Sequence, residues 1–252
     1  MFEFKNERVI VVGASRGLGR GVALALADAG ARVLGIGRDE AALERMQDSS
    51  GDRIAIAVGD ATDANFAARV LEAEDPACVF LVAGATPTMK PIHQYDWQSF
   101  SEVWETDVKL SFNWLQHLVT RPMRPRGRVI VFSSGAALHG SPLSGGYAPA
   151  KQAQRYLCDY VRTELARMGR DTVIQCVLPK LTPHTDLGKA AVEAYAKLAG
   201  ESVDAYVQRQ SGAHPLTARI AGDEMLNLLT NDALRTGREF LLTGSGLKLL
   251  DK

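Results

Sequence analysis

The sequence predicts an α/β fold: a single doubly wound domain over residues 1–252, with a parallel sheet of about seven strands and helices on both faces. Three observations predict it. Short β-branched runs alternate with longer helical patterns, the rhythm of repeated strand–helix–strand units. The runs are mostly continuously apolar, as in strands buried on both faces. No Pro/Gly/Ser linker divides the chain; the tract at 122–127 (PMRPRG) is short and leads straight into a strand.

The predicted strands are 8–12 (RVIVV), 32–36 (RVLGI), 54–58 (IAIAV), 78–82 (CVFLV), 128–132 (RVIVF), 172–178 (TVIQCVL) and 239–242 (EFLL). Between the first two, Leu18, Val22, Ala25, Leu26 and Ala29 recur at helical spacing, and Gly30 ends that helix at low steric cost. Trp97, Phe100, Trp104, Val108, Leu115 and Leu118 mark a helix face turned to the core. Val103, Leu110 and Trp114 form a second apolar line on it, and Tyr156 and Tyr160 a similar one on the helix begun by Tyr147. A helix apolar on two sides is buried on two sides. From 182 to 231 no strand is predicted; residues 187–210 read as one or two helices. An insertion after a strand's carboxyl end commonly covers a ligand crevice, so residues 183–216 are the expected variable cover.

Composition narrows the function. Hydrophobic residues make up 46% and charged residues 23%, which is globular rather than disordered or membrane-embedded. Lys+Arg and Asp+Glu are 29 each, so no global field holds nucleic acid or an anionic membrane. Cys78, Cys158 and Cys176 form neither a disulfide framework nor a Cys-x-x-Cys pair, and none of the five histidines has metal-ligand spacing, so no metal is expected. The first residues carry no apolar signal core, the tail LLDK matches no address, and no run approaches the ~18 apolar residues that span a bilayer. The expected location is the cytoplasm.

After the first strand comes Gly13-Ala14-Ser15-Arg16-Gly17-Leu18-Gly19. Gly13 permits a tight turn, Gly17 lets backbone approach a pyrophosphate, and Gly19 lets the helix pack on the sheet. The helix amino end then offers free N–H groups and a positive dipole to phosphates. A dinucleotide is the implied ligand, bound by Gly13, Ser15, Arg16, Gly17, Leu18 and Gly19. NAD enzymes usually end the second strand with an acid for the ribose 2′-hydroxyl. Here it ends Gly35-Ile36-Gly37-Arg38, with Asp39 and Glu40 only afterwards. Arg16 and Arg38 suit a 2′-phosphate, so NADP(H) is expected. In Gly59-Asp60-Ala61-Thr62-Asp63, Asp60 and Ala61 are candidates for the adenine end; alternatively Thr62 or Asp63 only caps the next helix.

Tyr147 and Lys151 lie at i and i+4, on one face of a helix. A free phenol titrates near ~10 and is a poor base at pH 7. A cation ~4 Å away at an effective dielectric of ~20 favours its anion by about 4 kcal/mol, which suits acid–base work. The fifth strand ends in Ser133-Ser134-Gly135 at the sheet edge where ligands bind, and Ser134 precedes Tyr147 by 147 − 134 = 13 positions. The glycine loop, Ser134, Tyr147 and Lys151, in this order, resemble the short-chain dehydrogenase/reductase family, whose fold is of Rossmann type. The resemblance covers nearly the whole chain. It implies that Tyr147 gives a proton to a carbonyl, that Ser134 holds the substrate oxygen, and that Lys151 supports Tyr147 and holds the nicotinamide ribose. Hydride would come from the nicotinamide.

Four positions depart from the family's pattern. Leu81-Val82-Ala83-Gly84 stands for N-N-A-G, with Ala83 and Gly84 kept for close approach to the cofactor. Val12 stands for the loop threonine. Asp107 stands for the helix asparagine of the proton relay, and its charge competes for Lys151. Pro179-Lys180 replaces Pro-Gly, with Thr182 or Thr185 for the carboxamide. The reading is therefore an NADP(H)-dependent oxidoreductase that interconverts a small carbonyl and a secondary alcohol; the alternative is an NADP(H)-binding scaffold with little catalysis. The family's helix pairing implies a homodimer or homotetramer. Specificity is expected in 85–95, 136–146 and 183–216, with Leu138, Leu143 and Leu181 making the pocket partly apolar and His139 or His184 on its wall.

Overall fold

A computed structural model describes residues 2–250 apart from Pro122 and Ala213; Met1, Asp251 and Lys252 also lie outside the described residues. The first part of the tract at 122–127, one position of the cover at 183–216 and the end of the tail therefore fall outside them.

The chain runs β1 (Arg8–Val12), α1 (Gly17–Asp28), β2 (Arg32–Gly37), α2 (Glu40–Asp48), β3 (Ile54–Val58), α3 (Ala64–Glu74), β4 (Cys78–Leu81), α4 (Trp97–Val103), a π-helical turn (Trp104–Val108), α5 (Lys109–Thr120), β5 (Arg128–Phe132), α6 (Ala136–His139), α7 (Tyr147–Arg167), β6 (Val173–Pro179), α8 (Asp186–Ala199), α9 (Val203–Ser211), α10 (Ala218–Thr230), β7 (Glu239–Thr243) and β8 (Gly246–Leu249). The sheet order is β3-β2-β1-β4-β5-β6-β7-β8. All seven predicted strands pair in parallel. An eighth, β8, folds back antiparallel on β7 through a turn at Gly244-Ser245.

Alternation along each strand feeds two cores. On one face Val9, Val11, Phe80, Phe132 and Phe240 meet α1 and α10 through Val22, Leu26, Met225 and Leu228. These two helices touch backbone to backbone: a Cβ on Gly21 would stand 2.0 Å from the Ala218 oxygen, and one on Gly222 2.5 Å from the Gly21 oxygen. On the other face Ile10, Val12, Val79, Val131 and Ile174 meet α5 and α7 through Leu110, Trp114, Cys158 and Leu165. The continuous apolar runs are thus buried from both sides.

The helix predicted around 97–118 forms, broken by the π-helical turn, but its faces differ from the prediction. Trp97 is 76% exposed, whereas Val103, Leu110 and Trp114 are each 3% exposed or less. The second apolar line therefore lies in the chain's own core. Trp114 packs under the loop after β3 and donates its indole N–H to the Ala61 carbonyl at 3.0 Å.

Candidate active site

At the carboxyl edge of the sheet, where strand order reverses between β1 and β4, lies a cleft of about 1290 Å³. Such switch points are where open α/β sheets hold ligands. Every nominated catalytic and cofactor residue lines it: Gly13, Ser15, Arg16, Gly17, Leu18 and Gly19 from the first loop, Arg38, Asp60, Ala61, Ala83, Gly84, Asp107, Ser134, Tyr147, Lys151, Pro179 and Thr182.

The glycine loop is built as its spacing demands. Gly13 has φ +91°, and a Cβ there would stand 2.5 Å from the Ala83 nitrogen. A Cβ on Gly19 would meet the Gly13 oxygen at 2.0 Å, so α1 seats directly on the turn. The glycines thus let the backbone at the amino end of α1 approach the cleft closely, a cradle suited to a pyrophosphate. Beside it, a Cβ on Gly37 would lie 3.4 Å from Ser15, which sets Ser15 against the end of β2. Arg38 is exposed there. Asp39 caps α2 by accepting the Ala42 N–H at 3.0 Å, so the nearest acid is engaged in the helix. Arg16 reaches the other way, 3.6 Å from Asp186 at the start of α8.

At the far wall, Asp60 accepts both the N–H and the hydroxyl of Thr62 at 2.9 Å. The backbone bond from Thr62, helped by the Thr62 hydroxyl and Arg38, holds its carboxyl below the usual range against the effect of burial. Asp63 caps α3 through the Asn65 N–H, so the loop both caps a helix and lines the cleft. Asn113 donates to the Thr62 carbonyl at 2.8 Å and so, with Trp114, ties α5 to this loop.

The centre is a buried ion pair. Lys151 Nζ lies 2.8 Å from Asp107 Oδ2, and the two side chains are 5% and 0% exposed. Lys151 Nζ also donates to the Phe132 carbonyl at 3.3 Å. Asp107 Oδ1 accepts the Ala85 N–H at 2.7 Å, joining the helix to the loop after β4. A Cβ on Gly84 would crowd that carboxylate at 2.9 Å, so the glycine leaves room for the acid. Asp107 sits in the π-helical turn, a feature frequent at functional sites. Burial alone would push the Lys151 ammonium down; the Asp107 carboxylate and then Tyr147 override it, and the net direction is up. A pKa raised above the ordinary lysine value of 10.5 means this lysine's stabilisation is complete below that value. It is lost only as pH rises through the higher folded one, so the lysine stays charged at neutral pH. The ammonium lies 5.6 Å from the centre of the Tyr147 ring. It is thus shared between the phenol and a nearer carboxylate.

Ser134 Oγ accepts the Ala136 N–H at 3.2 Å, which leaves its hydroxyl proton available to the cleft. Over the cleft, α8 and α9 form the two helices of the predicted cover, with Tyr195 and Tyr206 stacked 5.9 Å apart. Tyr195 shares a hydrogen bond with Ser141, joining the cover to the loop before α7. Leu138, Leu181, His139 and His214 line the cleft, whereas Leu143 and His184 are not on its wall.

Sequence reasoning missed the braces of the pair. Gln154 donates to the Asp107 carbonyl at 3.1 Å and to Ser111 at 2.7 Å, and Ser133 Oγ donates to the Lys151 carbonyl at 2.7 Å. Gln154 follows Lys151 by one helical step, the only hint in the sequence.

Residues 7–196 match the family model described as short chain dehydrogenase. The uncharacterised short-chain type dehydrogenase/reductase y4eK of Sinorhizobium fredii is 28% identical over 162 residues, and the match spans 64% of this chain and 64% of that relative's length. A 3beta-hydroxysteroid dehydrogenase of Mediterraneibacter gnavus is 28% identical over 81% of this chain and 77% of its own. An L-rhamnose 1-dehydrogenase (NADP(+)) of Thermoplasma acidophilum is 22% identical over 98% of each. Among solved structures, an NAD+-bound xylitol dehydrogenase superposes with a TM-score of 0.82 at 20% identity, over 96% of this chain and 100% of that one.

Proposed function

The chain belongs to the short-chain dehydrogenase family, and on that footing we propose that it is an NADP(H)-dependent oxidoreductase interconverting a carbonyl and a secondary alcohol on a small substrate. The observation that carries the reading is the convergence of Ser134, Tyr147 and Lys151 on the cleft that the glycine loop opens. When bound, the nicotinamide supplies or takes up hydride. Gly13, Ser15, Gly17, Leu18 and Gly19 would hold the pyrophosphate, Asp60 and Ala61 the adenine end, and Ala83, Gly84, Pro179 and Thr182 the nicotinamide half.

Tyr147 gives its hydroxyl proton to the carbonyl oxygen as that oxygen gains negative charge. Ser134, whose oxygen already accepts the Ala136 N–H, turns its own proton to the same oxygen. An ammonium has three N–H donors. Two of those on Lys151 go to Asp107 and Phe132, and the third would serve the ribose. Asp107 holds that ammonium in place and lowers its pull on the phenol. This last point favours the second reading, a cofactor-binding scaffold with slow turnover. Steady NADPH oxidation with a panel of carbonyls separates the two: turnover supports the enzyme, and tight NADPH binding without turnover supports the scaffold.

Arg38 supports NADP over NAD, since it stands exposed at the end of β2 while Asp39 is engaged as a cap. Losing a charge-assisted contact to the 2′-phosphate costs about 1.5–3 kcal/mol. Arg38→Ala weakens NADPH by roughly ten- to a hundredfold and leaves NADH nearly unchanged in fluorescence titrations. Equal losses for both cofactors count against the assignment.

Assembly as a homodimer or homotetramer stays part of the reading, through different residues from Val103, Leu110 and Trp114. Tyr156 and Tyr160 on α7 stack 6.5 Å apart and are 53% and 65% exposed, and Phe112 on α5 is 48% exposed. An interface there buries an aromatic surface that water now covers. Tyr160→Glu places an unpaired charge in it, and light scattering then shows smaller species than the parent's. A parent that is already monomeric contradicts this assembly. Among the described residues no helix is long and apolar enough to cross a membrane. The three cysteines are free and buried, which suits the cytoplasm.

A further inference from the structure

The carbonyl end of the cleft holds a cation that the reaction does not use. Lys180 follows Pro179 at the end of β6, and its backbone N–H donates to the Leu242 carbonyl at 2.8 Å, which fixes its place at the sheet edge. A Cβ built on Gly135, the residue after Ser134, would stand 3.8 Å from both Cα and Cγ of Lys180. The lysine therefore rises next to the serine that receives the carbonyl oxygen. It is exposed and lines the cleft. The other cations of the cleft wall are placed differently. Lys151 is paired with Asp107 and Arg16 with Asp186. Arg38 ends β2, on the far side of β1 from β6. Among the described residues Lys180 has no ion-pair partner, so no described carboxylate cancels its charge. Leu138, Leu181 and Tyr195 line the same cleft and bring mainly apolar surface to it.

We propose that Lys180 determines specificity by taking a carboxylate on the substrate, so that the carbonyl compound handled is an oxo acid with a hydrocarbon body. This rests on the carbonyl-reduction reading above. A single compact ammonium matches a monoanion; a phosphate dianion is better held by the forked guanidinium of arginine. Leu138, Leu181 and Tyr195 then cover the carbon chain, and Ser134 and Tyr147 meet the carbonyl.

The test compares 2-, 3- and 4-oxoalkanoates with their methyl esters in NADPH oxidation by the parent, Lys180→Met and Lys180→Arg. For at least one acid, the parent's KM is about tenfold below that of its ester, the scale of one charge-assisted contact. Lys180→Met erases that gap with kcat, ester kinetics and NADPH affinity preserved, and Lys180→Arg restores most of it. Acids and esters handled alike by the parent, a gap that survives in Lys180→Met, or a loss of NADPH affinity in that variant each overturn the proposal. Calorimetry of the matching hydroxy acids with the NADP+-loaded protein reads the anion site without turnover. Lys180-dependent binding of these acids with every carbonyl inert overturns only the reduction reading. Turnover with no preference for acids overturns only the role of Lys180.

Discussion

Tyr147→Phe lowers the rate of carbonyl reduction by about 10²–10⁴-fold, the usual worth of a positioned general acid. The substitution removes one hydroxyl and keeps the ring at the start of α7. NADPH affinity changes by less than about twofold, because the proposed phosphate contacts lie on the Gly13–Gly19 loop and the proposed ribose contact on Lys151, whose ammonium is anchored to Asp107 and Phe132 rather than to the phenol. A fall in kcat with NADPH binding preserved, read by steady-state rates and fluorescence titration, is the expected pattern. A variant that keeps the parent's rate contradicts the assignment of Tyr147.

Lys151→Met has the second largest effect, and it reaches stability as well as rate. Asp107 is fully buried, so removing its cation leaves a carboxylate without a counter-charge. Breaking a buried pair from one side costs about 3–5 kcal/mol. The Ala85 N–H still bonds to Asp107 and moderates the loss. Urea unfolding of Lys151→Met shows a midpoint well below the parent's, and both NADPH affinity and kcat fall. Asp107→Asn separates the roles. It removes the charge that now competes for the ammonium, so Lys151 acts more strongly on the phenol. The rate of alcohol oxidation, in which Tyr147 takes up the proton, then exceeds the parent's in steady-state assays. An oxidative rate unmoved by Asp107→Asn shows that the carboxylate does not restrain the lysine.

The sheet was legible because its strands are buried on both faces and therefore read as unbroken apolar runs, such as RVIVV at 8–12 and RVIVF at 128–132. β8 was missed because GLKL is short and half polar, an edge strand held mainly by its partner β7. The candidate site was legible wherever function needs a residue at fixed spacing, as in the glycine loop and the Tyr147–Lys151 pair. It was hidden wherever a contact joins distant segments. Nothing near Asp107 in sequence signals that Ala85 and Gln154 hold it. The helix faces were misjudged for a related reason. Trp114 looks like an interface residue by periodicity, but its indole fills space under the loop after β3, which only the tertiary path of the chain brings there. Trp97, about two turns before the π-helical break, falls off the core face and is 76% exposed.

The central claim is that this cleft transfers hydride to a carbonyl while Tyr147 supplies the proton. The most direct test mixes the protein with NADPH deuterated at both C4 positions and a carbonyl panel that includes the oxo acids, and reads the alcohols formed by mass spectrometry. The account predicts an alcohol carrying one deuterium on the former carbonyl carbon, formed by the parent and reduced in yield about 10²-fold or more with Tyr147→Phe at equal time. Tight NADPH binding with no deuterated alcohol from any carbonyl would contradict it and leave the scaffold reading in its place.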